Sequence, residues 1–171
     1  VSLGEGFETQ SFRVHGYRRW VSVDRPEVMS ARQNVFSFDE RHVFYSGSAL
    51  DEAWFDLLEP GPLFVVAQGL FFYLAETKVA ELVAKLSHRP QTSLAFDVIP
   101  PWTVLMSKLR PPVGRSLNMP RMQWGLRKSE AADRVQSWSE RPPRVEAETI
   151  PMGMGPLRFE MPTALVVAHW D

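Results

Sequence analysis

The chain has 171 residues, 44% of them hydrophobic, with 19 basic and 20 acidic side chains and no cysteine. That length allows one domain with a sizeable core and is too short for two ordinary ones. The balanced charge gives no electrostatic footprint for nucleic acid or an anionic membrane, and the lack of cysteine excludes disulfides and thiolate metal sites.

The four histidines, His15, His42, His88 and His169, are scattered without ligand spacing, so no metal is expected. No apolar run approaches the roughly 20 residues of a membrane span. The N-terminus does not pair a positive region with an apolar stretch, so it does not read as a signal peptide. The expected location is cytoplasmic. The first residues, Val1-Ser2-Leu3-Gly4, already read as a strand and its turn, which predicts an N-terminally truncated domain.

In chain order, Val1 to Leu3 is a strand stub, and Glu8 to Val14 can form the first turns of a helix. Trp20 to Val23 alternates with β-branched residues and predicts a second strand. Pro26 suits a first helical position after Asp24 and Arg25. That helix runs to about Val35, with Val28, Ala31 and Val35 expected inward. Val43 to Tyr45 is a third strand. Leu50 to Leu58 predicts a helix burying Trp54, Leu57 and Leu58. The continuous apolar run Leu63 to Ala67 predicts a strand covered on both faces.

After Gly69, Val79, Leu82, Val83 and Leu86 follow the i, i+3, i+4, i+7 spacing of a helix. Ser93 to Phe96 is a fifth strand, closed by Asp97. The Pro-, Met- and Trp-rich stretch 100–126 reads as an ordered excursion without regular structure, a lid on the substrate side. Ser129 to Trp138 predicts a helix. Val145 to Ile150 and Ala164 to Ala168 predict two strands joined by a connector rich in Met, Gly and Pro. Alternating strands and helices define an α/β domain with a mainly parallel sheet. The last two strands have no helix between them and should pair antiparallel.

Leu3-Gly4-Glu5-Gly6 is a strand-to-helix turn whose glycines permit a sharp bend and close approach of a ligand. A dinucleotide fingerprint wants a further glycine at position 9. Thr9 stands there, which favours a ligand without phosphates. Asp24 ends the second strand, 18 positions after Gly6. A carboxylate there can accept both hydroxyls of a ribose. It can equally cap the helix that starts near Pro26.

The chain resembles the leucine carboxyl methyltransferases, and within them the tetracenomycin-type polyketide carboxyl O-methyltransferases. Val1 to Gln10 is similar to the motif V-x-L-G-x-G-x-D-T-R, with Glu8 and Gln10 in place of its acid and base. Asp24-Arg25-Pro26-Glu27-Val28 is similar to D-x-P-E-V, and Gln68 to Leu74 to E-G-L-x-x-Y-L. Phe96 to Pro100 matches F-D-x-x-P, and Trp124-Gly125-Leu126 matches W-G-L. The motifs keep their order and span nearly the whole chain.

The resemblance implies a seven-stranded Rossmann-like sheet of order 3-2-1-4-5-7-6 in a single domain, 1–171, that lacks the N-terminal helical lid. It implies S-adenosylmethionine (SAM) as cofactor. Gly4, Glu5 and Gly6 would border its methionine part. Asp24, with Arg25 beside it, would hold the ribose. Ser48, Ala49 and Leu50 would surround the adenine, and Gln68 and Gly69 would lie near the sulfonium. Tyr73, Trp102, Met122 and Trp124 would face the substrate.

The implied reaction is methyl transfer to a carboxylate of a small, polyketide-like molecule. A carboxylate is already ionised at neutral pH and needs no general base. Catalysis would come from aligning the reacting atoms and excluding water. Two other classes remain open at this stage, a degenerate non-catalytic SAM-fold protein and a nicotinamide-dependent oxidoreductase. The sequence carries no sign of oligomeric state.

Overall fold

A computed structural model describes residues 1–109, 120–150 and 163–171. The lid positions 110–119, Met119 among them, and the connector 151–162 lie outside the described residues.

All seven expected strands form. They are β1 (Ser2–Leu3), β2 (Trp20–Asp24), β3 (His42–Ser46), β4 (Leu63–Ala67), β5 (Thr92–Val98), β6 (Arg144–Thr149) and β7 (Ala164–Trp170). They make one sheet of order β3-β2-β1-β4-β5-β7-β6. β1 to β5 run parallel, and β7 pairs antiparallel with both β5 and β6. Order and direction both agree with the expectation.

Among the described residues five α-helices accompany the sheet: α1 (Gln10–Arg13), α2 (Pro26–Val35), α3 (Glu76–His88), α4 (Pro101–Leu109) and α5 (Ala131–Trp138). One sheet face carries the main core. Leu3, Val23, Val65, Leu94, Phe96 and Val166 pack there with Val79, Val83 and Leu86 of α3 and Val135 of α5. The four apolar positions expected inward on α3 are all buried. Pro26 opens α2 as expected.

Four local expectations are corrected. The inward residues of α2 are Met29 and Arg32, while Val35 is 65% exposed. Val28 and Ala31 are half-buried, and the inward stripe centres on Met29 and on Arg32, which makes a charged contact there. Residues 50–58 hold only a short 3-10 turn, Ala53–Leu57, with Trp54 fully buried and Leu57 and Leu58 half-buried. Strand β4 is not covered on both faces, because Phe64 is 52% exposed. An apolar run cannot by itself tell one covered face from two. Finally, the stretch after Pro100 begins as the regular helix α4, whose first residue is Pro101. Proline is tolerated there because the N–H it lacks has no intrahelical partner at that position.

Candidate functional site

Parallel strands deliver their following loops to one edge of the sheet, and ligands of open α/β sheets bind there, where the strand order reverses. In this chain the reversal lies between β1 and β4. Gly4 and Gly6, after β1, and Gly69, after β4, all have positive φ, at 63°, 55° and 64°. L-residues with a Cβ avoid that region. The two turns approach closely: a Cβ on Gly4 would stand 3.0 Å from Leu70 Cδ1.

A crevice of about 280 Å³ opens at this point, lined by Gly4, Glu5, Glu8, Gln10, Gln68 and Gly69 with Ser2 and Leu3. A larger hollow of about 550 Å³ lies among Val1, Tyr17, Leu57 and Phe64, away from Gly4 and Gly69; neither lining includes Asp24 or Gly6. The topology favours the smaller crevice, since it sits at the carboxyl ends of β1 and β4.

Asp24, at the end of β2, accepts the Gly6 N–H on Oδ2 at 2.7 Å and the Arg25 N–H on Oδ1 at 2.8 Å. The turn and the acidic residue expected to act together are therefore in direct contact. Each carboxylate oxygen keeps a lone pair for a ligand. Arg25 itself is exposed, pairs with Glu27, and caps α2 through its carbonyl. The loop after β3 joins the same edge, because the Gly47 N–H donates to the Asp24 carbonyl at 2.9 Å. Within that loop Ser48 Oγ accepts the Leu50 N–H at 3.1 Å. The Ala49 carbonyl accepts Trp54 Nε1 at 3.0 Å.

Across the crevice, Gln10 Nε2 donates to Gln68 Oε1 at 3.0 Å. The Gly69 N–H donates to Asp97 Oδ1 at 2.6 Å. Two aspartates thus mirror each other. Asp24 at the end of β2 holds the turn after β1, and Asp97 at the end of β5 holds the turn after β4. Burial pushes the Asp97 carboxyl above its ordinary value, with the Gly69 N–H pulling the other way.

The expected substrate residues separate. Tyr73 and Met122 pack together with Phe72, Ile99 and Val104 beyond β4 and β5. Burial raises the Tyr73 hydroxyl pKa, with Asp97 adding to the effect. Trp102 is 57% exposed on α4. Trp124 donates Nε1 to the carbonyls of Phe71 and Leu74, both at 3.0 Å, and meets Trp138 edge to face. Those contacts fasten its segment to the turn after β4.

Glu5, expected at the cofactor, lines the crevice with its backbone while its side chain points into the protein, leaving the residue 5% exposed. Its Oε1 accepts Arg32 Nη2 at 2.9 Å and Trp20 Nε1 at 3.1 Å. Burial raises its pKa, and Arg32 is among the groups that oppose the rise. Arg32 is the residue that sequence reasoning missed. Its one visible signal is a charge on the buried stripe of α2, three positions after Met29. Among the described residues no cluster of three metal-capable side chains occurs, and no helix is long and apolar enough to cross a membrane.

The sheet order, with a reversed final strand, is that of the SAM-dependent methyltransferase fold. The chain aligns over 99% of its length with SibL, a S-adenosylmethionine-dependent methyltransferase in its apo form, at a TM-score of 0.65 and 12% identity, covering 49% of that chain. It aligns equally completely with a putative S-adenosylmethionine dependent methyltransferase from Listeria monocytogenes, at 0.64 and 14% identity, covering 89% of it. Human N-acetylserotonin methyltransferase in complex with SAM aligns at 0.57 and 18% identity, over 99% of this chain and 46% of that one. In sequence, the chain is 30% identical over 112 residues to the tetracenomycin polyketide synthesis O-methyltransferase TcmP of Streptomyces glaucescens. That match takes in 63% of this chain and 42% of the relative, so the chain spans less than half of that protein. No family model matches.

Proposed function

We propose that this chain is the cofactor-binding body of a SAM-dependent O-methyltransferase acting on a carboxylate of a small, polyketide-like molecule. The observation that carries the reading is the 2.7 Å hydrogen bond from Gly6 N–H to Asp24 Oδ2, set at the strand reversal beside Gln68 and Gly69. The similarity to TcmP supports the O-methyl chemistry and the kind of acceptor.

The residues present fit the donor. Asp24 offers acceptor lone pairs to a ribose diol. At Gly4 and Glu5 the β1 turn brings backbone rather than side chains to the crevice, the Glu5 side chain being fully buried. Thr9, where a dinucleotide site wants glycine, disfavours a pyrophosphate. Bound SAM supplies a methyl group on a sulfonium, open to attack by an oxygen nucleophile. The chain's own work is to hold and align. Gly4 and Gly6 let the turn lie against the ligand, and Gln68 presents neutral polar atoms at the same crevice. Tyr73 and Met122 form an apolar patch beyond β4 for the acceptor. Alignment of the reacting atoms is worth about 7–11 kcal/mol in favourable cases. An ionised carboxylate needs no proton removed, so the absence of a histidine from the crevice lining does not count against it.

The test is transfer of labelled methyl from SAM to an aromatic carboxylic acid. The expected product is a methyl ester that releases methanol in mild alkali. Label that resists alkali would exclude a carboxyl acceptor. One observation favours a second, non-catalytic reading. The Gln10–Gln68 hydrogen bond closes neutral amides on each other where the resemblance has a base and an acid. That reading expects S-adenosylhomocysteine (SAH) binding with no methyl transfer to any acceptor.

A further inference from the structure

Arg32 is fully buried, with 0% side-chain exposure, and so is its partner Glu5. All of its side-chain hydrogen bonds go to the β1 turn. Nη1 donates to the Gly6 carbonyl at 3.0 Å and to the Glu8 carbonyl at 2.6 Å, and Nη2 donates to Glu5 Oε1 at 2.9 Å. The rings of Phe36 and Phe38 lie 5.2 and 5.4 Å from its guanidinium carbon. Gly6 is therefore pinned from both sides by one strand–helix unit. Its N–H is held by Asp24 at the end of β2, and its C=O by Arg32 on α2.

Backbone bonds close the turn at its ends, from the Gly4 N–H to the Val23 carbonyl at 2.7 Å and from the Glu8 N–H to the Glu5 carbonyl at 3.0 Å, but the helix that follows adds little. Helix α1 has four residues, and its N-cap, Thr9, makes no side-chain capping bond. A single helical turn is not stable alone. Two glycines at positive φ also leave the unfolded and loosened states unusually free.

We propose that Arg32, neutralised by Glu5, is a positioning residue that fixes the β1 turn in its ligand-ready shape before any cofactor arrives. This rests on the reading that the turn takes the methyl donor. Arginine suits the task because its planar fork reaches several acceptors at once, whereas lysine offers a compact point charge. Glu5 keeps the buried cation paired, without which burial would be strongly unfavourable. A turn that must be ordered by the ligand binds it more weakly than one already set.

The test uses Arg32→Lys beside Met29→Ala. Met29 is on the same buried stripe of α2 and is 1% exposed, so its truncation loosens the helix packing without removing a bond to the turn. Two quantities are read, amide hydrogen exchange over residues 3–10 without ligand, and SAH affinity by calorimetry. Arg32→Lys is expected to speed exchange in that segment and weaken SAH, each by about tenfold. Met29→Ala should lower the melting temperature and change neither by more than about twofold.

If Arg32→Lys does not fold, Phe36→Leu removes a ring against the guanidinium and should give the same changes in milder form. Unchanged exchange over 3–10, or equal losses of SAH affinity in the arginine and methionine variants, overturns the proposal. Faster exchange in a protein whose wild type takes no SAH upholds Arg32 as the holder of the turn and sinks the methyl-donor reading instead.

Discussion

The Gly6 N–H and the Asp24 carboxylate, 18 residues apart, meet at 2.7 Å. This bond, with that from the Gly4 N–H to the Val23 carbonyl at 2.7 Å, joins the bend after β1 to the end of the neighbouring strand and brings the two motifs together. Asp24→Ala removes both the support of the turn and the acceptors for a ribose. It is expected to weaken SAH binding by about 1–3 kcal/mol, the usual cost of losing hydrogen bonds to a charged group. Calorimetric titration checks this, and an unchanged dissociation constant would take Asp24 out of the site.

Gly4 and Gly6 share a left-handed conformation but not their surroundings. A Cβ on Gly6 meets nothing within 4 Å, whereas one on Gly4 presses on Leu70. Gly6→Ala should therefore cost only the backbone term, about 1–2 kcal/mol. Gly4→Ala should cost more, because Leu70 must also shift. Urea unfolding of the two variants measures the difference, and equal losses would show that the turns after β1 and β4 do not press together.

Asp97 yields a pH dependence. Burial raises its carboxyl above the ordinary 3.8, so the folded chain holds this proton more tightly than the unfolded one. Stability from this group is full below 3.8 and is lost as pH rises through the raised value. Asp97→Asn keeps an acceptor for Gly69 and cannot titrate. The change in melting temperature on substitution should be more favourable at neutral pH than at about pH 4. A difference independent of pH would mean that Asp97 ionises as freely in the folded protein as outside it.

Trp124 was expected to face substrate, yet its indole N–H is shared between the Phe71 and Leu74 carbonyls. Trp124→Phe should lower stability by about 1–2 kcal/mol, since the part-buried Leu74 carbonyl loses the indole donor while the Phe71 carbonyl keeps the Leu74 N–H. It should leave SAH affinity unchanged. A stable variant with a raised KM for the acceptor alone would return Trp124 to the substrate wall.

Much of the fold was legible because strands announce themselves locally. Trp20–Asp24 and Leu63–Ala67 are β-branched or apolar runs between turn residues, and Val79, Leu82, Val83 and Leu86 mark one helix face. The antiparallel β6–β7 pair followed from the lack of a helix between them. The strand order came from resemblance, since nothing in periodicity says that β1 lies between β2 and β4. On α2, apolarity points to Val28, Ala31 and Val35, of which the first two are half-buried and Val35 is exposed. The buried stripe also takes in Arg32, whose partner Glu5 lies 27 positions away. The roles of Glu5 and Trp124 were hidden for the same reason: a long-range partner, not the residue type, decides where each side chain goes.

The most direct measurement is an amide NMR titration of the isotope-labelled chain with SAH. Shifts should concentrate at Gly4–Gly6, at Asp24, at Ser48–Leu50 and at Gln68–Gly69, all at one edge of the sheet. No shifts, or shifts gathered instead around Tyr17, Leu57 and Phe64 at the larger hollow, would contradict an adenosyl site at the crevice between β1 and β4.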